Sequence, residues 1–286
     1  MSVVLVTGAS TGIGRAAALA LARRGHRVVA TMRAFARGEQ LRESAQRESL
    51  PVSLAQLDVT DDASVARAIA DAIAAHGRID ALVANAGFHA GAAFEETPLA
   101  TFRALYETNV LGIVRCAQAV LPHFRARGSG AVVAVTSQSG RIVHPTNAAY
   151  SASKFAAEAA LEALALELAP LGIRVAIVEP GLTFTAAQEK STPWPRGTSY
   201  QGLYARTGAV FTRDAEVGSS AELVGEVVAD AVESREARLR WPVGRDAARN
   251  LAGRAALSDD EWVRLHAEPD AERFLARWRT VMGDRD

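Results

Sequence analysis

The sequence has 286 residues, of which 49% are hydrophobic and 22% charged, as in an ordinary globular protein that is long enough to bury a core. Its 32 basic and 32 acidic residues give a formal net charge of zero, so no overall basic field favours binding to nucleic acid or an anionic membrane. The single cysteine, Cys116, excludes an internal disulfide framework and is expected to be a buried, unreactive thiol on a helix.

The chain starts with a predicted strand, Val3 to Val6, followed by a glycine-rich turn and a helical pattern. No basic segment or apolar signal precedes this strand, which favours a cytoplasmic location. Gly8 allows a tight turn, Gly12 allows close approach of a pyrophosphate, and Gly14 allows the helix to pack closely on the sheet. Because a helix N-terminus favours negative charge, the turn predicts a phosphate site. Its residues are Gly8, Ser10, Thr11, Gly12, Ile13 and Gly14.

The second predicted strand, His26 to Thr31, is followed by Met32 and Arg33. An acidic residue at this position would bind the ribose 2′-hydroxyl of NAD, and none is present. Arg33 can instead pair with a 2′-phosphate, so NADP(H) is the preferred cofactor and NAD(H) the less favoured one. The alternative is that Arg33 is an ordinary solvated loop residue.

The third predicted strand, Val52 to Leu57, ends at Asp58 and Val59, where Asp58 could accept a hydrogen bond from the adenine amino group. The alternative is that Asp58 caps the helix that starts near Ala63. The fourth strand, Ala81 to Val83, ends in the turn Asn85, Ala86 and Gly87, which is expected beside the adenosine ribose. The alternative for this segment is turn chemistry alone.

Two later segments contain candidate catalytic groups. Asn109 interrupts a helical pattern from Thr101 to Arg127, where a local kink would free a group to bind a proton-carrying water. The alternative is a tolerated, partly exposed helix residue. Ser137 follows a buried strand, Val132 to Val135, at the sheet edge where ligands bind.

Tyr150 and Lys154 are four residues apart at the start of the next helix, so their side chains share one face. A nearby cation lowers the pKa of a phenol, and a hydroxyl such as that of Ser137 stabilises charge developing on oxygen. The three groups suit alcohol oxidation or carbonyl reduction.

The chain resembles the short-chain dehydrogenase/reductase family over about residues 2 to 235. The resemblance is carried by TGASTGIG (7–14), LDV (57–59), NAG (85–87), ETNVLG (107–112), TSQSG (136–140), YSASK (150–154) and PGLTFT (180–185). It implies that Tyr150 is the general acid/base, that Lys154 binds the nicotinamide ribose and lowers the phenol pKa, and that Ser137 positions the substrate. It also implies that Asn109 completes a water-mediated proton relay.

The same resemblance implies further cofactor contacts and an assembly. Pro180 and Gly181 would bend the chain past the nicotinamide, with Thr183 or Thr185 near the carboxamide or phosphates. A homodimer or homotetramer would form through the helices around residues 101–127 and 151–170.

Residues 183–217 are predicted to be an irregular lid with at most a short helix, because Gly202, Gly208 and prolines interrupt any periodicity. An apolar substrate pocket is expected, although lid aromatics often only pack the lid to the body. The residues expected to contact substrate are Ser137, His89, Phe94, His144 and Phe184. Neither histidine has a partner at metal-ligand spacing, so no metal is expected.

We therefore predict a Rossmann-like, doubly wound parallel α/β sheet with helices on both faces, in one domain. Residues 1–245 would form the dinucleotide-binding and catalytic part and residues 246–286 a helical C-terminal extension of it. The predicted function is hydride transfer between NADP(H) and a small carbonyl or alcohol substrate. The alternatives are an epimerase or dehydratase on the same fold, and a non-catalytic dinucleotide sensor.

Overall fold

A computed structural model of the protein describes residues 1–185 and 194–283. Its strands are β1 (Val3–Val6), β2 (Arg27–Met32), β3 (Val52–Gln56), β4 (Ala81–Ala84), β5 (Gly130–Val135), β6 (Ile173–Pro180), β7 (Thr183–Phe184), β8 (Ser219–Ser220) and β9 (Arg240–Val243). Its α-helices are α1 (Gly12–Arg23), α2 (Glu39–Arg47), α3 (Asp62–His76), α4 (Leu99–Tyr106), α5 (Gly112–Arg127), α6 (Ala148–Leu168), α7 (Gln201–Ala215), α8 (Ala221–Glu233), α9 (Arg245–Ala255), α10 (Asp259–His266) and α11 (Ala271–Met282).

The central sheet is parallel throughout, with the strand order β3-β2-β1-β4-β5-β6-β9. Alternate residues of β1 face helices on opposite sides of the sheet, so the fold has three layers. Val4 and Val6 pack with α1 and α8, whereas Val3 and Leu5 pack with α3, α5 and α6. Burial on both faces explains the continuous apolar runs in the sequence. The predicted doubly wound α/β fold is confirmed.

The sheet topology places the predicted site residues at one edge. The chain reverses its direction of winding between β1 and β4, and ligands of such sheets bind in the crevice outside the carboxyl ends of the strands at this point. The segments after β1, β4, β5 and β6 all emerge there. This edge is therefore where the fold can form a ligand site.

The prediction of an irregular lid was wrong for residues 201–215, which form the four-turn helix α7. Tyr204, Thr207 and Val210 recur every third residue and are buried, so packing of this face offsets the cost of the two glycines. Residues 186–193 of the predicted lid lie outside the described residues.

The C-terminal extension consists of α9, α10 and α11, and it packs as a separate apolar cluster against α7. This cluster contains Val210, Leu265, Phe274, Trp278 and Met282. The described residues of this segment are mainly helical, and their apolar cluster joins α10 and α11 to α7. Within residues 1–185 and 194–283, no helix has the length and apolarity needed to span a bilayer.

Candidate active site

The glycine-rich turn between β1 and α1 is pressed against the turn that follows β4. Gly8 has a φ of +66°, and a Cβ atom on it would lie 2.8 Å from the Cα of Ala86. A Cβ on Gly14 would lie 2.4 Å from both Asn85 Nδ2 and the carbonyl oxygen of Gly8. Glycine is therefore required at both positions by close contact, and Gly8 also by its left-handed backbone conformation.

Asn85 holds this turn in place through its side chain. Its Nδ2 donates to the carbonyl oxygens of Thr7 at 3.0 Å and Gly8 at 3.2 Å. In return, Thr7 Oγ1 accepts from the backbone N–H groups of Asn85 and Ala86, both at 3.0 Å. The side chain of Asn85 thus serves the structure of the turn, which leaves the backbone around Gly87 as the surface that can face a ribose.

The N-terminus of α1 has the properties of an anion site. Its N-cap residue, Thr11, makes no side-chain capping hydrogen bond, and the first turn contains no acidic residue. The first N–H groups of the helix therefore lack a side-chain acceptor, and these groups attract phosphate. Ser10, Thr11 and Ile13 are at least partly exposed around them, so this end of the helix fits a pyrophosphate.

The two candidate threonines after β6 have different surroundings. The methyl group of Thr185 lies 3.3 Å from where a Cβ of Gly12 would be, so Thr185 borders the phosphate end of the site. Thr183 is buried and its hydroxyl donates to the carbonyl oxygen of Gly181 at 3.2 Å. Geometry therefore favours Thr185 for a phosphate contact and gives Thr183 a role in shaping the turn.

Arg33 is exposed at the end of β2, whereas Met32 before it is buried. Asp58, at the end of β3, has its pKa held below the ordinary value: burial alone would raise it, but hydrogen bonds from Thr60 and the charges of Arg33 and Arg115 outweigh burial. The alternative that Asp58 caps α3 is wrong, because the capping residue is Asp61. The carboxylate of Asp58 is thus charged beside Arg33.

Val59 follows Asp58 and contributes mainly through its packing and its backbone. Its side chain lies 2.8 Å from where a Cβ of Gly112 would be, and its carbonyl oxygen accepts a hydrogen bond from Arg115 Nη1 at 2.5 Å. These two contacts of Val59, with Gly112 and with Arg115, fix the start of α5 against the segment that follows β3. A cofactor contact by Val59 stays a prediction.

Ser137 lies at the carboxyl end of β5, where it caps a single 3₁₀ turn, Gln138–Gly140. Its Oγ accepts from the backbone N–H of Ser139 at 3.1 Å and lies 3.5 Å from the carbonyl oxygen of Pro180. The same hydroxyl interacts with the phenol of Tyr150. The turn therefore aims Ser137 at the start of α6.

Tyr150 and Lys154 face each other on the first turns of α6. The Nζ atom of Lys154 lies 5.7 Å from the centre of the Tyr150 ring and donates to the carbonyl oxygen of Val135 at 3.2 Å. Lys154 is only 5% exposed, and burial lowers its pKa to about 8, against the opposing charge of Glu158. An ammonium ion at neutral pH thus lies beside a phenol at the sheet edge.

The expected fall in the pKa of Tyr150 is not produced by the protein's own groups. Burial raises this pKa above its ordinary value, and the hydrogen bond with Ser137 offsets only part of the increase. Desolvation disfavours the phenolate more than these neighbours favour it. The expectation from the sequence underestimated how strongly the Tyr150 hydroxyl is buried. Lowering the pKa of Tyr150 therefore requires a further positive charge, such as that of an oxidised nicotinamide.

Asn109 lies in a π-helical turn, Glu107–Leu111, between α4 and α5, so the predicted kink is confirmed. The residue is fully buried, which rules out the partly exposed alternative. Its Oδ1 accepts from the N–H of Phe88 at 3.0 Å, and its Nδ2 donates to the carbonyl of Phe88 at 3.0 Å and to Ser153 Oγ at 3.1 Å. Both N–H groups of the amide and one acceptor site of its oxygen are in use, so a proton relay here would use mainly the main chain.

Among the predicted substrate contacts other than Ser137, His89 packs directly on Tyr150. Its ring packs edge to face on Tyr150 with ring centres 4.7 Å apart, and its Nε2 is 2.8 Å from Asn147 Oδ1. Phe184 is 51% exposed on β7, where its ring contacts Gly218. Both are therefore available to a ligand near the sheet edge.

Phe94 and His144 have other surroundings. Phe94 is 73% exposed and its ring contacts Phe102, so it does not line an enclosed pocket. His144 is buried against Trp278 and Phe211, next to a cavity of about 10 Å³, which has room for about one water molecule. Burial lowers the pKa of His144 to about 4, so it is neutral in the core of the C-terminal cluster.

Sequence reasoning missed a set of buried polar residues behind the site. Asp246, at the start of α9, accepts from the N–H of Leu182 at 2.5 Å, and Asn250 donates to Gln138 at 3.2 Å. The C-terminal extension therefore fixes both turns that flank the reacting groups. Glu158 and Glu179 are also buried here. One signal was present for Glu158, which lies one helical turn beyond Lys154 on the same face.

Comparisons with known proteins agree with this geometry. The family model described as short chain dehydrogenase matches residues 2–196. A short-chain dehydrogenase from Streptomyces avermitilis has a similar structure, with a TM-score of 0.78 and 35% identity over 93% of this chain and 99% of that one.

Two further proteins are similar over most of their length. Retinol dehydrogenase 8 from Homo sapiens is 36% identical over 239 residues, which cover 81% of this chain and 75% of the relative. An alcohol dehydrogenase from Thermococcus sibiricus, complexed with 5-hydroxy-NADP, gives a TM-score of 0.71 at 26% identity, over 85% of this chain and 96% of that one.

A dinucleotide turn next to a paired phenol and ammonium defines an oxidoreductase that uses a nicotinamide cofactor. The match to the family model and to full-length relatives makes the assignment more specific: this chain belongs to the short-chain dehydrogenase family. It is an NAD(P)-dependent enzyme acting on CH–OH and C=O groups.

Proposed function

We propose that the protein transfers a hydride between NADP(H) and an apolar or bulky carbonyl or alcohol substrate, with Tyr150 as the general acid/base. The observation that carries this proposal is the Lys154 ammonium 5.7 Å from the centre of the Tyr150 ring, with the Ser137 hydroxyl close enough to lower the pKa of that phenol. The test is a panel of aldehydes, ketones and alcohols followed through NADPH absorbance. A panel that includes large apolar ketones and shows no turnover with either nucleotide would refute the proposal.

The nicotinamide supplies the hydride when it is bound. Tyr150 gives a proton to the substrate oxygen during reduction, and Ser137 donates a hydrogen bond to that oxygen as its charge develops. Lys154 stabilises the phenolate that remains. Lys154 would hold the nicotinamide ribose, the backbone near Gly87 would lie beside the adenosine ribose, and the N-terminus of α1 would hold the pyrophosphate.

The cofactor preference is proposed from Arg33, which is exposed next to the charged Asp58. Its guanidinium can pair with the 2′-phosphate of NADP(H), whereas NAD(H) offers it no anion there. The complex of the archaeal relative with 5-hydroxy-NADP supports this choice.

Arg33→Asp should reverse the preference. The change replaces an attraction for the 2′-phosphate with a repulsion, so kcat/KM with NADPH should fall roughly a hundredfold relative to NADH, or about 3 kcal/mol. Arg47→Asp, on the exposed face of α2, is the matched charge control and should leave the ratio nearly unchanged. A wild-type enzyme that prefers NADH would contradict the proposed preference at the outset.

Carbonyl reduction should also lose rate in alkali. Burial lowers the pKa of Lys154 to about 8, so the ammonium is present below that pH and is lost as the pH rises through it. The measurement is kcat/KM against pH from 6 to about 10, with the folded state checked at each pH by circular dichroism. A profile that stays flat beyond about pH 9.5 would contradict a role for the Lys154 charge.

An apolar substrate is proposed because aromatic rings border the approach to Tyr150. His89 contacts the phenol directly, Phe184 is exposed beside the turn after β6, and Trp194 packs on Tyr204 of α7. The similarity to retinol dehydrogenase 8 supports a substrate of this kind.

We also propose that the protein is a homodimer or homotetramer and that it is cytoplasmic. Large apolar side chains are exposed on the helices expected to form a dimer or tetramer, namely Leu99, Tyr106, Leu111, Phe155 and Leu166. Contact between copies would cover them. The buried thiol of Cys116, whose pKa burial raises to about 12, is compatible with the proposed cytoplasmic location.

A further inference from the structure

A buried carboxylate lies one helical turn beyond Lys154. Glu158 is 4% exposed, its Oε1 accepts from Thr136 Oγ1 at 2.6 Å, and its Oε2 accepts from Arg240 Nε at 3.2 Å. Thr136 is the residue immediately before Ser137. Glu158 thus joins the helix that carries Tyr150 and Lys154 to the strand end that carries Ser137.

The turn after Ser137 is also packed on this side chain. A Cβ atom on Gly140 would lie 2.6 Å from Glu158 Cγ and 3.2 Å from the carbonyl oxygen of Lys154. Only a residue without a side chain leaves room for the carboxylate here. The position of Glu158 is therefore fixed from α6, from β5 and from the turn that follows β5.

A second buried carboxyl, Glu179 on β6, lies behind the first. It is fully buried and neither oxygen has a hydrogen-bond partner, although Arg141 and Arg240 each approach to 3.6 Å. Burial and the like charge of Glu158 together raise the pKa of Glu179 to about 7, against the charges of Arg141 and Arg240. Near neutral pH Glu179 is therefore partly protonated. Burial also raises the pKa of Glu158, against the hydrogen bond from Thr136 and the charge of Arg240, and the charge of Glu158 acts on Lys154.

The charged and titratable groups around Lys154 come from four elements. Tyr150 lies beside Lys154, and the groups linked to Glu158 through shared ion pairs are Glu162 on α6, Arg141 after the 3₁₀ turn, Glu179 on β6 and Arg240 on β9. Glu162 shares Arg240 with Glu158 but its side chain is 52% exposed. Solvent screens Glu162 much more than Glu158.

We propose that Glu158 is a positioning residue for the reaction, which acts through Lys154 and Thr136 to keep the ammonium charged and the Ser137 turn in register. The effect of Glu158 on catalysis rests on the proposed function. The effect of Glu158 on the protonation of Lys154 does not, because it involves only these two side chains.

The physical reason is a balance between burial and attraction. Burial of the ammonium favours loss of its proton, and the Glu158 carboxylate opposes that loss. Removing the charge of Glu158, which lies one helical turn from Lys154, should shift the titration of Lys154 downward by about one pH unit, which corresponds to about 1.4 kcal/mol of lost attraction. At pH 8 the charged fraction would then fall roughly fivefold.

The sequence permits a direct measurement, because it contains only two lysines, Lys154 and Lys190. Lysine labelled with ¹³C at Cε gives two signals by NMR, and Lys190→Arg assigns them. The full chain is titrated without added nucleotide in that background. We expect a Lys154 midpoint near 8, which falls by about one unit in Glu158→Gln.

Glu162→Gln is the matched control, since it removes a carboxylate from the next turn of the same helix and from the same arginine. It should move the midpoint by less than about a quarter of a unit because it is exposed. The alkaline limb of kcat/KM should shift in parallel with the NMR midpoint, downward in Glu158→Gln and unchanged in Glu162→Gln.

An unchanged Lys154 midpoint in Glu158→Gln, or an equal shift in Glu162→Gln, would overturn the inference. If circular dichroism shows that Glu158→Gln does not fold, Glu158→Asp is used instead. This variant keeps a carboxylate on the same turn, so the Lys154 midpoint should stay near its wild-type value. A fall of about one unit in Glu158→Asp would also overturn the inference. Absence of turnover with every carbonyl would refute the proposed function alone, since the NMR titration does not depend on a substrate.

Discussion

Tyr150→Phe should reduce kcat/KM for carbonyl reduction roughly a thousandfold, the effect expected for loss of a general acid. The variant keeps the ring that packs on His89 and lies beside Lys154, so only the ionisable oxygen is removed. NADPH affinity, measured by nucleotide fluorescence, should change less than about threefold, because the phenol contributes little to binding. Steady-state rates and binding together separate a lost proton donor from a lost cofactor site.

Tyr106→Phe is the matched control. This tyrosine is 44% exposed on α4, and its replacement removes the same hydroxyl group without touching the site. It should have wild-type kinetics. Turnover by Tyr150→Phe within tenfold of wild type would show that another group protonates the substrate, and the assignment of the general acid would then be wrong.

The fold could be predicted because local signals agreed with the tertiary structure. The apolar run Val3–Val6 is buried on both faces, and the glycine turn after it leads directly into α1. α3 (Asp62–His76) has both ends fixed locally, because Asp61 caps its N-terminus and Gly77 ends it in the left-handed conformation. In contrast, α7 was missed because its stability comes from packing on the C-terminal cluster, which local periodicity around Gly202 and Gly208 does not reveal.

The site shows the same division between local and long-range causes. Ser137, Tyr150 and Lys154 come together because the single segment 136–147 joins the end of β5 to the start of α6, and spacing along the chain was enough to predict this. Asp246 and Glu179 lie far along the chain from the groups they affect, and no sequence pattern relates them. The direction of the Tyr150 pKa was also out of reach, because it depends on how deeply the hydroxyl is buried.

Glu179→Gln should stabilise the protein, and the gain should depend on pH. Burial raises the pKa of Glu179 from 4.5 to about 7 in the folded protein. Below pH 4.5 the carboxyl is protonated in both states, so no cost arises from its charge. As the pH rises, the unfolded chain loses this proton first, so the cost to the folded state grows and becomes constant above about pH 7, at roughly 3 kcal/mol. Glutamine carries no charge and avoids that cost.

The measurement is equilibrium unfolding in urea at pH 5 and at pH 8. The difference in the free energy of unfolding between variant and wild type is then compared between the two pH values. The free energy of unfolding of Glu179→Gln should exceed that of the wild type by roughly 2–3 kcal/mol at pH 8 and by much less at pH 5. Glu162→Gln should show the opposite sign, because Arg240 lowers the pKa of that exposed carboxyl and its charge is favourable above that pKa. A loss of stability in Glu179→Gln at pH 8 would mean that Arg141 and Arg240 outweigh burial, and that the carboxylate is held charged beneath the reacting groups.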